Sequence, residues 1–264
     1  MDAFEALVLG IIQGLAEWLP ISSSGHLVIA QELLGLASGE NLVFDLFLHM
    51  GTLLAVIVFF RKELGRIVLA MLMTKARRGP QEEALRMLGL MILVATVPVA
   101  VLGVLLSSTM EDVFTVTLVG AALLVNAAIL FAAERRGMKG TRKSATLPDA
   151  VTVGLFQAVS ILPGISRSGS TISGGLFRGL EREAAATFSF LVSVPALVGA
   201  FAYGLATLDR YDTDWTMVAM GTAAAFLTGL LSIDYLLKAV KSGRLWIFAA
   251  YCAVLGTAVL VLTL

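Results

Sequence analysis

The chain has 264 residues, of which 58% are hydrophobic and only 14% are charged, and its mean hydropathy is +0.91. Nineteen basic and nineteen acidic residues give a formal net charge of zero, so we expect no nucleic-acid partner. An apolar excess of this size excludes an ordinary water-soluble domain. We therefore expect an all-α polytopic membrane protein that forms a single integral-membrane domain over residues 1–264.

In chain order, a first segment over residues 1–43 is interrupted by the polar stretch LPISSSGH. Three long apolar runs follow, then a second interrupted segment over residues 148–178, then three further apolar runs. Most runs approach the ~20 residues that a bilayer-crossing helix needs. The six predicted transmembrane helices are 44–60, 87–106, 113–133, 184–206, 215–237 and 245–264.

Lysine and arginine residues lie almost entirely on one side of these runs, whereas the opposite loops at 107–112 and 209–214 are mostly acidic. By the positive-inside rule the basic loops lie in the cytoplasm. This orientation predicts a multi-pass protein of the plasma (inner) membrane with both termini outside. The predicted cytoplasmic loops are 61–86, 134–148, 178–183 and 238–244.

Two stretches of the chain are copies of one another. Residues 10–25 (GIIQGLAEWLPISSSG) and 154–169 (GLFQAVSILPGISRSG) share six identities in sixteen positions. Paired interrupted segments in two halves of a membrane protein indicate a repeat, and they point to its binding site. Three crossings separate the copies, so the second is inverted. We predict two re-entrant helical hairpins whose tips meet near the midplane, with repeat one at 1–134, repeat two at 148–264 and a basic cytoplasmic loop at 135–147.

The first interruption carries groups suited to a metal ion. Glu17 offers a carboxylate, and Gln13 lies one helical turn earlier on the same face. Oxygen ligands of this kind suit Mg²⁺ or Ca²⁺. His26 is the group at this tip that exchanges protons near neutral pH.

The second interruption carries groups suited to phosphate. Arg167 presents a forked cation that fits phosphate oxygens. Gly25 and Gly169 allow backbone N–H groups at helix starts to approach an anion. Hydroxyl groups surround both tips: Ser22, Ser23, Ser24, Ser166, Ser168, Ser170 and Thr171.

Several of these polar residues also have a purely structural interpretation. Glu17 and Arg167 could form a buried ion pair, because a carboxylate and a guanidinium at membrane depth neutralise one another. His49 is as readily a packing group as a ligand. Asp45 could help to hold a cation, although the sequence favours a solvated residue at a helix start. Cys252 lies in the last apolar run and is predicted to pack against neighbouring helices or lipid.

The stretches QGLAEWLPISSSGHL and LPGISRSGSTISGG closely resemble the two signature motifs of the undecaprenyl-pyrophosphate phosphatases of the bacitracin-resistance type. The stretch FDLFLHMGTLLAVIVFFRKEL is similar to that family as well, so the resemblance runs essentially end to end. One departure is Gln13, where some members carry Glu and therefore one more negative charge. The matching residues are Gln13, Glu17, Pro20, Ser22, Ser23, Gly25 and His26 in the first motif, and Pro163, Gly164, Ser166, Arg167, Ser168 and Thr171 in the second.

The resemblance implies hydrolysis of undecaprenyl (polyprenyl) diphosphate to the monophosphate and inorganic phosphate. This reaction would recycle the lipid carrier for cell-wall or surface glycans and confer bacitracin resistance, at a site that opens to the outer face. The implied partners are this lipid and the membrane lipids, with a homodimer left open. The implied catalytic residues are Glu17, Ser23, His26 and Arg167; the implied substrate-binding residues are Ser22, Gly25, Ser166, Ser168, Gly169, Ser170 and Thr171; the implied metal ligands are Glu17 and Gln13.

Two questions stay open at this stage. Either Ser23 activated by His26 or His26 itself could be the nucleophile, and we prefer the first. A lipid-phosphate flippase or transporter would use the same inverted repeats and the same anion site. A nucleophile and a base beside the anion site distinguish the enzyme, because transport requires neither.

Overall fold

The computed structural model describes residues 1–36, 42–106, 115–207 and 213–263, and within these ranges it is almost entirely α-helical. A single turn of 3-10 helix at Lys75–Arg77 lies between α4 and α5. The α-helices are α1 Ala3–Trp18, α2 Ser23–Leu33, α3 Leu42–Phe59, α4 Arg61–Leu72, α5 Pro80–Leu106, α6 Val116–Gly137, α7 Leu147–Val159, α8 Arg167–Phe177, α9 Arg182–Thr207, α10 Trp215–Lys241 and α11 Leu245–Thr263.

Six of these helices are long and apolar enough to cross a membrane: α3, α5, α6, α9, α10 and α11. They correspond one to one with the six predicted crossings, which are confirmed. Their apolar side chains are widely exposed, as on α11, where Leu262 is 85% and Val254 72% accessible. Exposed apolar side chains on this scale fit a lipid environment. The predicted acidic loop at 107–112 and most of the loop at 209–214 lie outside the described residues.

Helix α4 lies where the sequence predicted only a cytoplasmic loop. It buries Ile67 and Ala70, three residues apart, and exposes Arg61 and Arg66. The buried side packs against α5, where Ile67 lies close to Gly89. This spacing is that of an amphipathic helix. It is present in the sequence, although the many charged residues of the segment resemble those of a loop.

The two interrupted segments each fold as two helices joined by a short break. In both, a serine caps the second helix: Ser22 Oγ accepts the N–H of Gly25 at 3.3 Å, and Ser166 Oγ accepts the N–H of Gly169 at 3.1 Å. An N-cap serine satisfies one of the free N–H groups of the first helical turn. The similar sequences therefore fold into similar local structures.

The first helix of each segment packs on a long helix of the other half of the chain. Helix α1 lies along α10 and α7 lies along α5. Both contacts are close: a Cβ on Gly10 would come within 2.4 Å of the Gly221 carbonyl oxygen, and one on Gly154 within 2.7 Å of the Ala95 carbonyl oxygen. Small residues allow helix backbones to approach in this way. The two halves of the chain consequently interlock.

The two breaks contact one another directly, and α6 links them. The Asn126 side chain donates to the Pro20 carbonyl at 2.9 Å and accepts the N–H of Ser166 at 3.1 Å. The N–H of Gly164, in a turn with φ of 95°, donates to Ser22 Oγ at 3.1 Å. Cys252 is buried beside Asn126, as predicted for a packing residue. These bonds satisfy non-helical backbone that would otherwise be unpaired inside the protein.

An ion cluster around the buried carboxylate of Asp149 connects the other ends of the α7–α8 segment. Asp149 is fully buried and accepts hydrogen bonds from Arg142 at 2.5 and 2.9 Å, from Arg178 at 3.0 Å, and from the N–H and hydroxyl of Thr146. Burial alone would raise the pKa of Asp149, but these hydrogen bonds outweigh it and hold the pKa well below its ordinary value. The start of α7 and the end of α8 are therefore held together.

Candidate active site

Glu17 lies at the centre of the polar groups around the two breaks. It is the penultimate residue of α1, and only 6% of its surface is exposed. Its Oε2 accepts hydrogen bonds from the Ser23 hydroxyl at 2.6 Å and from the Gln13 amide at 3.0 Å, while its Oε1 accepts one from Arg167. The Ser23 proton therefore already points at a carboxylate, which is the geometry that a general base needs.

Arg167 occupies the first turn of α8 and reaches across the junction to Glu17. Its guanidinium carbon lies 5.2 Å from the centre of the Trp18 ring, and that ring packs against Phe190 at 5.3 Å. Its Nη2 donates to Glu17, whereas its Nη1 is buried and has no hydrogen-bond partner among the residues that the structure describes. Leaving a buried charged donor unpaired is costly, so this N–H group is suited to bind an anionic ligand.

The structure does not bring Ser23 and His26 together. The His26 Nδ1–H donates to the Ser22 carbonyl at 2.7 Å, and Nε2 lies 2.7 Å from the Tyr251 hydroxyl. No hydrogen bond links Ser23 to His26. The hydrogen bond from Ser23 to Glu17 favours Glu17 over His26 as the base for Ser23, and this assignment is proposed below. The physical reason is helix geometry: Ser23 opens α2 and faces back towards α1, whereas the His26 ring faces α11.

His49, which the sequence left open as a packing group or a ligand, lies beside Glu17. Its Nε2 lies 3.8 Å from Glu17 Oε2, and its Nδ1 donates to the Asp45 carbonyl at 2.8 Å. The Asp45 carboxylate accepts both 3.0 Å hydrogen bonds from the Gln31 amide, so it is not the solvated residue that the sequence indicated. The available signal was the i, i+4 spacing of Asp45 and His49, two ionisable residues in one apolar helix. Tyr251 carried no such signal.

The predicted substrate-binding hydroxyls are largely used within the breaks themselves. Ser168 donates to the Leu19 carbonyl at 3.2 Å, Ser166 caps α8, and Thr171 donates to the Arg167 carbonyl at 2.8 Å. All three are at least 98% buried. The Gly25 and Gly169 N–H groups are likewise taken by Ser22 and Ser166. Only Ser170, of this predicted set, has a buried hydroxyl without a partner. In this structure the set therefore shapes the junction more than it faces a ligand.

The oxygen atoms of Glu17 and Gln13 provide some, but not all, of the ligands that a divalent cation needs. Within the described ranges, no three His, Cys, Asp or Glu side chains are grouped as a metal site. Gln13 Oε1 is nevertheless buried without a partner beside the Glu17 carboxylate. An amide oxygen and a carboxylate are hard oxygen ligands, and Mg²⁺ commonly combines one or two carboxylates with substrate phosphates. Glu17 and the Gln13 amide oxygen are therefore the residues that would contact such a cation together with a phosphate ligand.

These features define a multi-pass membrane protein in which a part-buried serine donates to a buried carboxylate that is also paired with an arginine. The chain belongs to the family described as "Bacitracin resistance protein BacA", which matches residues 6–258. This finding confirms the resemblance recognised in the sequence motifs.

Curated relatives match the chain along its whole length. An "Undecaprenyl-diphosphatase" of Korarchaeum cryptofilum is 42% identical over 264 residues, covering 98% of this chain and 99% of the relative. One of Desulfosudis oleivorans is 42% identical over 267 residues, covering 97% of each. One of Methanosphaera stadtmanae is 38% identical over 278 residues, covering 100% of this chain and 99% of the relative.

Proposed function

We propose that this protein hydrolyses undecaprenyl diphosphate to undecaprenyl phosphate and inorganic phosphate. The observation that carries the proposal is the Ser23–Glu17–Arg167 arrangement: a serine on a carboxylate beside an arginine with one unpartnered N–H. The family and the names of the full-length relatives support the same substrate. The monophosphate returns to glycan synthesis as a lipid carrier, and its regeneration is consistent with the bacitracin resistance in the family description.

In the proposed reaction Ser23 Oγ attacks the terminal phosphorus of the diphosphate. A Ser23–phosphate bond forms, the bond to the bridging oxygen breaks, and undecaprenyl phosphate leaves with the electron pair. The Ser23 proton passes to Glu17 Oε2, which lies 2.6 Å away. Water then attacks the phosphoserine, inorganic phosphate leaves, and Ser23 regains a proton from Glu17. The unpartnered Arg167 Nη1 binds the phosphate oxygens on which negative charge is concentrated.

The contacts of His26 favour Ser23 over His26 as the nucleophile. Attack by His26 needs a free ring nitrogen, but both of its nitrogens are engaged, one by Ser22 and the other by Tyr251. Ser23 is as accessible as His26, and its hydroxyl already donates to a carboxylate that can act as its base. The step therefore needs no rearrangement of the protein before attack.

A test that separates hydrolysis from lipid transport uses the purified protein in liposomes loaded with undecaprenyl diphosphate. We expect release of inorganic phosphate by the wild-type protein and none above background by a Glu17→Gln control. Movement of the diphosphate lipid between leaflets without phosphate release would contradict the proposal and favour a flippase.

We also propose that a divalent cation, Mg²⁺ or Ca²⁺, binds with the substrate. Glu17 and Gln13 Oε1 would hold it together with the diphosphate oxygens, in keeping with the unpartnered amide oxygen. When bound, such a cation neutralises negative charge on the phosphate groups.

Chelation of divalent cations should abolish phosphate release, and added Mg²⁺ or Ca²⁺ should restore it. Gln13→Ala should raise the cation concentration needed for half-maximal activity by about 10-fold or more, the scale of a lost ligand or its support. The matched control is Gln157→Ala, because Gln157 is the aligned residue of the second segment and also has a buried, unpartnered amide oxygen. Equal cation requirements in the two variants would remove Gln13 from the cation site.

We further propose that α1–α2 and α7–α8 are re-entrant hairpins and that the chain is an inverted repeat. The reciprocal packing of α1 on α10 and of α7 on α5 supports this relation, as do the paired serine caps. The aligned positions have diverged, however. Glu17 aligns with Ile161, Ser23 with Arg167 and His26 with Ser170. The two repeats therefore build one site between them rather than two equivalent sites.

The distribution of lysine and arginine residues along the chain supports an orientation in which both termini lie outside and the site opens to the outer face. Cysteine labelling with a membrane-impermeant thiol reagent tests this, in a Cys252→Ala background. Ser24→Cys, at the part-buried start of α2, should react in intact cells, as should the exposed control Ala3→Cys, whereas Lys139→Cys should react only in inverted vesicles. A diphosphate analogue should protect position 24 alone. If position 24 instead behaves like position 139, the site does not open outwards.

A further inference from the structure

The His26 ring is held at both of its nitrogens and on one face. A carbonyl oxygen can only accept a hydrogen bond, so the 2.7 Å contact with the Ser22 carbonyl places a proton on Nδ1. In the neutral ring Nε2 is then an acceptor, and the Tyr251 hydroxyl donates to it at 2.7 Å. The two rings also stack, with centres 5.6 Å apart and planes 12° apart.

Tyr251 comes from α11, far along the chain from His26, and neither signature motif includes it. The residue is 44% exposed. Packing alone therefore does not explain why a hydroxyl is aimed at this nitrogen. A hydroxyl that donates to Nε2 disfavours a proton on that nitrogen. Tyr251 therefore selects the histidine tautomer that carries its proton on Nδ1.

The selected tautomer matters because its Nδ1–H donates to the carbonyl of Ser22. Ser22 has a φ of 73°, and it is the only residue besides glycine with a positive φ among those that the structure describes. A residue other than glycine stays in this conformation only when its surroundings hold it there. The hydrogen bond from His26 Nδ1 to the Ser22 carbonyl is one such restraint, and the next residue is Ser23, whose hydroxyl must meet Glu17.

We propose that Tyr251 is a positioning residue of the hydrolysis and acts on Ser23 through His26 and the Ser22 turn. Its hydroxyl fixes His26 with the proton on Nδ1, His26 then holds the Ser22 carbonyl, and Ser23 is presented to Glu17. The proposal rests on the proposed roles of Ser23 and Glu17 in catalysis, but its spectroscopic test does not.

Nitrogen-15 NMR of labelled histidine identifies the tautomer directly, because the chemical shift of each ring nitrogen reports whether it is protonated. The chain has only two histidines, so a His49→Asn variant assigns both signals. At about pH 8, above the ordinary histidine pKa, wild-type His26 should show one protonated Nδ1 and one unprotonated Nε2. Tyr251→Phe should convert this to a mixture of the two tautomers, and the control Tyr235→Phe, on the exposed side of α10, should not. An unchanged His26 spectrum in Tyr251→Phe would overturn the proposal.

A double-mutant cycle tests the consequence for turnover. Tyr251→Phe keeps the stacked ring and should lower kcat by roughly 5- to 30-fold, the scale of one or two kcal/mol, with KM within about twofold since no substrate contact is removed. In a His26→Ala background the same change should have an effect of less than about twofold. An equal loss in both backgrounds would show that Tyr251 acts without His26 and would overturn the proposal.

The two tests also separate this inference from the proposed function. If Ser23→Ala retains activity, the catalytic assignment fails while the NMR result still decides whether Tyr251 selects the tautomer. If Ser23→Ala is inactive and the NMR spectrum does not respond to Tyr251→Phe, only the role of Tyr251 fails. Thermal unfolding of Tyr251→Phe in detergent should match that of Tyr235→Phe, so that lost turnover is not lost folding.

Discussion

Ser23→Ala and Glu17→Gln should each lower kcat for undecaprenyl diphosphate by at least ~10²-fold, the lower end of what a nucleophile or its base contributes. Alanine removes the oxygen that attacks phosphorus. Glutamine keeps the size of Glu17 but cannot take the proton that the Ser23 hydroxyl now donates to it at 2.6 Å. Initial rates of phosphate release from purified protein in detergent measure both effects.

The double variant distinguishes a working pair from two separate contributions. Residues that act as a unit show strongly non-additive losses, so Ser23→Ala with Glu17→Gln should be little worse than the poorer single variant. Losses that multiply would contradict the Ser23–Glu17 pairing. His26→Ala is an informative control. Combined with Ser23→Ala it should lower kcat little further, because His26 is proposed to act through Ser23.

The sequence predicted the fold well wherever a single physical signal dominated. The six crossings followed from apolar length, because a bilayer sets that length directly. The contact between the two breaks followed from the repeat, because matching interruptions need one another to satisfy their backbone groups. Helix α4 was missed because its charged residues resembled a loop, although Ile67 and Ala70 had helical spacing.

The sequence predicted which residues meet at the breaks better than it predicted which of their side chains form hydrogen bonds with one another. Glu17, Ser23 and Arg167 do meet, but the partner of Ser23 depends on the direction in which each side chain leaves its helix. Direction at a helix start is set by the turn before it, here the positive φ of Ser22, and spacing along the chain does not encode it. Contacts from distant helices, such as His49 and Tyr251, depend on packing that no local pattern records.

Arg167→Lys should lower kcat/KM by at least ~10²-fold although it keeps the charge, on the scale of a lost donor to a developing anion. In the proposed reaction Arg167 serves two partners. Its Nη2 donates to Glu17, and its unpartnered Nη1 is free to bind the phosphate. A single ammonium cannot make both contacts in the fixed geometry of a planar fork. It would also lose the stacking of the guanidinium on Trp18, which orients the fork.

The matched control for this prediction is Arg135→Lys. Arg135 also lies over an aromatic ring, with its guanidinium carbon 4.6 Å from the centre of Phe131, but it is exposed near the end of α6 and outside the site. We expect its kcat/KM to stay within about twofold of wild type, as for an exposed cation–aromatic pair worth less than ~1 kcal/mol. If Arg167→Lys matches this control, the charge of Arg167 serves only to neutralise Glu17. The buried structural ion pair that the sequence allowed would then be the correct interpretation, and the phosphate would need another ligand.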